Sequence, residues 1–291
     1  GVIPNTAMKE TENSENSGQM NKIMSSYLKK SALLLKQMKM EQKPDNEIQQ
    51  EKLKVMKNIY RLLIYFLGTP PENFTWRYKD KNNQIIIKEF DSPLDFYNKT
   101  IDTKINEFYS IFDHPVYEYN KHYQVHYCSN MSGVMDMNFI NLPIDKLKEF
   151  TLKSIMDSIP VWFAADVGKD HNSEKGIFSC ELYDYQSLLN IDFQLSKKNR
   201  IRTFNSSPNH AMVFMGVDTL ENGKPKKWLV ENSWGTDKGN SGYWSMYDDW
   251  FDEHVYTVII HKKYLSKEIL KIRETKPELI PAWDPMRTFF Y

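Results

Sequence analysis

Residues 211–217 and 228–230 are apolar runs separated by TLENGKPKK, residues 219–227. An Asn-Gly step followed by Pro between two β-prone runs is the chemistry of a hairpin turn. The first run is apolar at consecutive positions, as suits a strand buried on both faces. Paired residue numbers in an antiparallel hairpin sum to a constant. A turn centred near residues 221–223 therefore sets Asn232 opposite a residue between 210 and 214, within reach of His210 at the start of the first run.

Taken singly, Asn232 in VENSWG reads as a strand-end turn residue and His210 as a satisfied histidine. Together they admit a chemical reading. The amide carbonyl can accept the proton of one ring nitrogen, fix the tautomer and leave the other nitrogen free as a base. Trp234, two residues on, could cover that bond from water and strengthen it. A base with an orienter implies a nucleophile.

Longer stretches carry a family resemblance. NHAMVFMGV, VENSWG, GNSGYWSMYDDWFDEHVYTVIIHKKYL and ELIPAWDPM, together with GVIPNTAMKETENSEN, LGTPPENFTWRYKDK and PVWFAADVGKDHNSEKG, span nearly the whole chain. They resemble the papain-like cysteine peptidases of the bleomycin hydrolase and aminopeptidase C branch. The resemblance implies an α+β papain-like fold, here its β-barrel half plus a helical hairpin insertion, with most of the helical, Cys-bearing half absent. It makes His210 and Asn232 catalytic and Trp234 supporting. The nucleophilic Cys and an oxyanion-hole Gln belong to a segment before the GVIP-like stretch, so a chain that starts at Gly1 reads as the C-terminal portion of a longer polypeptide. The implied reaction is removal of N-terminal residues from peptides with a free N-terminus, with no cofactor. The implied partners are that Cys-bearing segment and further copies of the chain, as a hexamer. A catalytically inactive scaffold or regulatory homologue is the alternative, and the altered tail is what favours it.

In this branch the last residues run back into the cleft, where a terminal carboxylate can pair with the substrate's α-amine and limit cleavage to one residue at a time. PAWDPM, residues 281–286, matches that arm. Residues 287–291 do not, because Phe, Phe and Tyr stand where small residues are expected, so Tyr291 and its neighbours are expected to cap the cleft. Asp166 and Val167 are expected to line it, although a surface turn around Asp166, Gly168, Asp170 and His171 is the simpler reading. Asp284, before a Pro, is expected to make a turn. Neither Cys128 nor Cys180 sits in the glycine-rich context of the missing nucleophile. Both read as small buried or edge residues. His122, His126 and Cys128 are too irregularly spaced for a zinc site, and no metal is assigned.

Composition adds bounds. With 38 basic and 38 acidic residues the net charge is zero, which gives no support for a nucleic-acid or membrane-surface partner. Two cysteines in 291 residues do not make a disulfide framework and favour a cytoplasmic location. No apolar run is long enough to span a bilayer. Apolar residues recurring at three-to-four spacing predict a helix over about 18–41. A second starts at Pro44-Asp45 and stops at Gly68 before Pro70 and Pro71. This hairpin can serve either core packing or an oligomer interface. Short strands and loops are expected over 72–143, then a helix over 143–160 that leads into the strand VWFAADV. The expected division is 1–75 for lead-in and hairpin, 76–265 for the barrel, and 266–291 for the arm.

Overall fold

The computed structural model describes residues 2–101, 104–129 and 133–290, without the side chains of residues 15 and 288–290. The chain divides into two compact units, residues 1–103 and 104–291.

The first unit contains α1 (Glu12–Glu15), α2 (Gly18–Met40), α3 (Asp45–Leu67), strands β1 (Phe74–Lys79) and β2 (Ile85–Phe90), and α4 (Pro93–Thr100). The two long helices match the predicted hairpin within a residue. Gly68 ends α3 at a φ of 85°, a conformation that a side chain disfavours, and its N–H bonds the Ile64 carbonyl. Thr11 Oγ1 donates to the Phe66 carbonyl at 2.9 Å, which satisfies one of the acceptors a helix end leaves open. Each long helix buries little: Met20 and Ser31 on α2, Val55 on α3. Leu53, Met56 and Tyr60, part of the expected apolar stripe, are more than half exposed. In place of a wide apolar seam the two helices share a hydrogen bond from Asn58 Nδ2 to the Tyr27 hydroxyl, 2.7 Å. Antiparallel β1 and β2 carry a small aromatic cluster, in which Phe90 meets Phe96 of α4 at 5.0 Å, edge to face. Helix α4 falls where only strands and loops were expected. Ser92 caps it, accepting from the Asp95 N–H, and Pro93 occupies its first turn.

The second unit is built on an eleven-stranded sheet. Its strands are β3 (Phe108–Phe112), β4 (Lys121–Val125), β5 (Asn138–Asn141), β6 (Val161–Ala165), β7 (His171–Asn172), β8 (Ile177–Phe178), β9 (His210–Thr219), β10 (Pro225–Glu231), β11 (Tyr243–Tyr247), β12 (Val255–His261) and β13 (Glu278–Ile280). The spatial order is β13-β4-β5-β3-β12-β6-β9-β10-β11-β8-β7. Helices α5 (Ile144–Met156), α6 (Tyr185–Leu189), α7 (Lys197–Arg202), α8 (Asp248–His254) and α9 (Lys267–Glu274) accompany it. The Asn-Gly hairpin is β9–β10, antiparallel, with Trp228 opposite Val217 and Glu231 opposite Val213. Two register irregularities interrupt the pair, which re-aims the strand end that carries Asn232.

Its core is aromatic: Phe163 stacks on Phe214 at 3.8 Å, and Phe214 contacts both Trp228 and Phe251. Trp228, Trp244 and Trp250 are fully buried, each removing on the order of 150–250 Å² from water. Gly176 and Gly239, both at positive φ, meet where a side chain could not fit: a Cβ on Gly176 would lie 2.5 Å from the Gly239 Cα. This close approach lets the loop before β11 lie against the β7–β8 turn. No helix of the described residues is long and apolar enough to cross a membrane.

Candidate active site

His210 opens β9 beside Ala165, the last residue of β6. A polar cluster sets the chain that delivers it. Buried Asp166 accepts from Ser206 Oγ and from Asn209 Nδ2, both at 2.7 Å. Asn209 Oδ1 in turn accepts from the Val167 N–H, and the Asn209 N–H donates to the Ala165 carbonyl. Ser206 Oγ lies 2.6 Å from the Tyr256 hydroxyl. Since the serine proton goes to Asp166, the tyrosine must donate to the serine, and burial pushes the Tyr256 phenol up to about 12, which keeps that donor protonated. Asp166 and Val167, expected as cleft lining, are thus buried and hold residues 206–209, directly before His210, in place. Ser206, Asn209 and Tyr256 were not picked out from the sequence. Asn209 adjoins His210 and so carried a weak positional signal, whereas Tyr256 carried none.

His210 Nε2 lies 2.8 Å from Asn232 Oδ1. The Ser233 N–H also donates to that Asn232 atom at 2.8 Å, so it must be the amide oxygen, and the acceptor requires the ring proton to sit on Nε2. Among the described residues no hydrogen bond reaches His210 Nδ1, whose lone pair is therefore available. The Trp234 ring stacks on the imidazole with centroids 4.9 Å apart and 28° between planes, and meets Trp244 edge to face at 5.2 Å. It remains 37 % exposed, so it covers one face of the imidazole while its other side is open to solvent. Asn232 Nδ2 is buried without a partner among the described residues, which costs about 1–3 kcal/mol.

The remaining sequence candidates lie apart. Burial pushes the Cys180 thiol up to about 12 and raises that of Cys128, and neither hydrogen-bonds to His210 among the described residues. His122 is committed elsewhere: its Nδ1 donates to the Thr275 carbonyl at 2.8 Å and Arg273 donates to its Nε2 at 3.1 Å. His126 stacks on Tyr127, and His122, His126 and Cys128 do not group as ligands among the described residues. Asp284 makes the expected turn, accepting the Met286 N–H, and is also buried against His114 Nε2 at 3.1 Å and the Tyr117 hydroxyl at 2.9 Å. Tyr291, the other expected cleft residue, lies outside the described residues.

A hairpin that presents an imidazole to a side-chain amide, with a tryptophan on the ring, beside a large mixed sheet, defines the His–Asn half of a papain-like peptidase fold. The chain matches the Peptidase C1-like family over residues 1–287 and belongs to it. It is 34 % identical to aminopeptidase C of Lactococcus lactis subsp. cremoris, covering 98 % of this chain and 65 % of that protein. It is 36 % identical to human bleomycin hydrolase (Homo sapiens), covering 98 % of this chain and 64 % of that protein. It is also similar to the crystal structure of PepW from Lactobacillus rhamnosis HN001, with a TM-score of 0.95 at 35 % identity, covering 98 % of this chain and 65 % of that one. The chain thus spans about two thirds of the length of these relatives.

Proposed function

We propose that this chain is the His–Asn portion of a cysteine aminopeptidase that removes N-terminal residues from peptides, with the nucleophilic cysteine supplied by a segment outside this sequence. The observation that carries the reading is the 2.8 Å bond from His210 Nε2 to Asn232 Oδ1, which leaves Nδ1 without a hydrogen bond among the described residues. In the reaction Nδ1 takes the thiol proton and the resulting imidazolium pairs with the thiolate. The thiolate attacks the peptide carbonyl, and Nδ1–H then protonates the leaving amine. Water deprotonated by the same nitrogen clears the acyl-enzyme. Asn232 keeps the ring's tautomer and orientation through the cycle, Trp234 covers one ring face from water, and no cofactor is required. The names of the relatives, aminopeptidase C and bleomycin hydrolase, support peptides as substrates. The buried anchor at Asp284 supports a role for residues 266–291 as an arm whose end, Tyr291 included, caps the cleft. Exposed apolar residues on the helical hairpin, Leu33 at 69 % and Tyr65 at 83 %, support assembly into a homo-oligomer, and two free thiols support a cytoplasmic setting.

The test is to express this chain alone and within a longer polypeptide that carries the preceding cysteine segment, and to assay aminoacyl substrates. The longer form is expected to turn over and to be silenced by a thiol alkylator, and the chain alone is expected to be silent. Alkylator-sensitive turnover by the chain alone would overturn the reading. Silence of a folded longer form would return the scaffold alternative.

A further inference from the structure

Away from His210, three potential ligand groups converge at the base of the β7–β8 hairpin. Asp170 directly precedes β7, Cys180 lies two residues after β8, and His254 ends α8. One ligand atom from each lies within 4.8 Å of the others. Asp170 Oδ2 is 3.2 Å from His254 Nε2, and the Ser179 N–H closes the hairpin onto the Asp170 carbonyl at 3.1 Å. His254 is 3 % exposed, yet its Nδ1 is buried without a hydrogen-bond partner among the described residues, so the imidazole is only half satisfied. The Asp170 side chain stays 38 % exposed, which gives an ion a way in.

We propose that Asp170, Cys180 and His254 form a binding site for a zinc-class divalent cation. A carboxylate, a thiolate and a neutral imidazole are the donor set that zinc takes, with water completing four-coordination. Donors around a tetrahedral zinc lie about 3.3–3.8 Å apart, so drawing these three onto one ion takes shifts on the order of 1 Å. Charge balances: the two anionic ligands neutralise the dication. On binding, the Cys180 S–H bond gives way to a metal–sulfur bond and the proton leaves to solvent. Burial and the neighbouring Asp249, Asp170 and Glu253 carboxylates hold the thiol protonated when no cation is present, and the same carboxylates favour a cation in its place. Of these carboxylates Glu253 is already paired with Arg200 at 2.7 Å, and Asp249 Oδ1 accepts the Trp250 N–H. The bound ion would staple the β7–β8 hairpin to the end of α8, a structural role separate from the chemistry at His210.

The chain, freed of metal with a chelator, is titrated with Co²⁺ and then with Zn²⁺. One equivalent of cobalt is expected to bind with a sulfur-to-cobalt charge-transfer absorption that zinc abolishes. Cys180→Ser is expected to remove the absorption and Cys128→Ser to retain it. Loss of even an outer-sphere partner typically costs 10–100-fold in affinity, so His254→Gln is expected to weaken binding by on the order of 10²-fold or more. Should either buried variant not fold, Asp170→Asn, on a half-exposed side chain, is expected to weaken binding as well. The proposal is overturned if the unaltered chain shows no thiolate absorption with cobalt, or if the absorption survives Cys180→Ser or is lost in Cys128→Ser.

Discussion

His210 and His114 of the sheet unit each bond to a side chain on another element, and they differ in the charge of the partner and in what is left uncovered. His210 bonds to Asn232, a neutral amide, with one ring face under Trp234 and Nδ1 without a hydrogen-bond partner among the described residues. His114 bonds to Asp284, a carboxylate, and is fully buried, with Asp284 also accepting from Tyr117 and from the Met286 N–H. A neutral acceptor fixes a tautomer without pulling the proton toward itself, so His210 Nδ1 keeps its lone pair, with no hydrogen bond to it among the described residues. A sealed carboxylate instead commits its histidine to one partner. The first arrangement suits proton transfer. The second fastens residues 281–286 to the loop after β3 and cannot reach a substrate.

Exchanging the two roles by mutation tests that contrast. In the longer, cysteine-bearing polypeptide His210→Ala is expected to lower kcat by roughly 10²–10⁴-fold, the range for loss of a general base, with little change in the unfolding midpoint. His114→Ala is expected to do the reverse. Removing the ring leaves the buried Asp284 carboxylate short of a hydrogen bond, at about 1.5–3 kcal/mol for a bond to a charged group, and urea denaturation should register the loss. If His114→Ala left stability unchanged, or His210→Ala mainly unfolded the protein, the division into reactive and fastening histidines would not stand.

A smaller expected effect is the pH dependence of the fastening pair. Burial alone would raise the Asp284 carboxyl, but the hydrogen bond and charge of His114, with the Met286 N–H and Tyr117, outweigh it and hold the carboxyl below its usual value. A carboxylate depressed in the folded state adds stability that is complete above its unfolded pKa of about 4. That stability is lost as pH falls through the lower folded value. Acid unfolding of the native chain should therefore steepen below about pH 4, and Asp284→Asn should remove that part of the slope. An identical acid profile for the variant would show that the pair contributes no linkage.

The same contrast separates what was legible in the sequence from what was not. The β9–β10 hairpin followed from Asn222-Gly223 and Pro225, and the reach of Asn232 to His210 followed from residue arithmetic, because both are local. The long helices and α5 were readable from period and punctuation. Helix α4 was missed although Ser92, Pro93 and Asp95 are a start signal, because the aromatic residues around it outweighed the cap. Whether the apolar stripe of α2 and α3 is covered was not legible, since periodicity reports which residues share a face and not whether anything packs on that face. Asp166 with Ser206 and Asn209, and His114 with Asp284 across 170 positions, join elements that only the folded sheet brings together. Neither spacing nor composition could have announced them.

Within the reactive arrangement the remaining variants rank orientation against cover. Asn232→Ala frees the imidazole to rotate and to change tautomer. Misplacing a reacting group by about 1 Å costs on the order of 10²-fold, so kcat in the cysteine-bearing polypeptide should fall by that order while KM holds. Gln, one methylene longer, keeps the acceptor but shifts it, and should restore only part of the loss. Trp234→Ala should cost least. It leaves the 2.8 Å bond in place and strips one ring face, so the bond competes with water in a higher local dielectric and weakens by about 1 kcal/mol, a several-fold loss of kcat. Trp234→Phe retains a stacking surface and should recover most of it. If Trp234→Ala instead matched Asn232→Ala, the tryptophan would be setting the orientation of His210 and not only its exposure to water, and the amide would lose its place as the orienter.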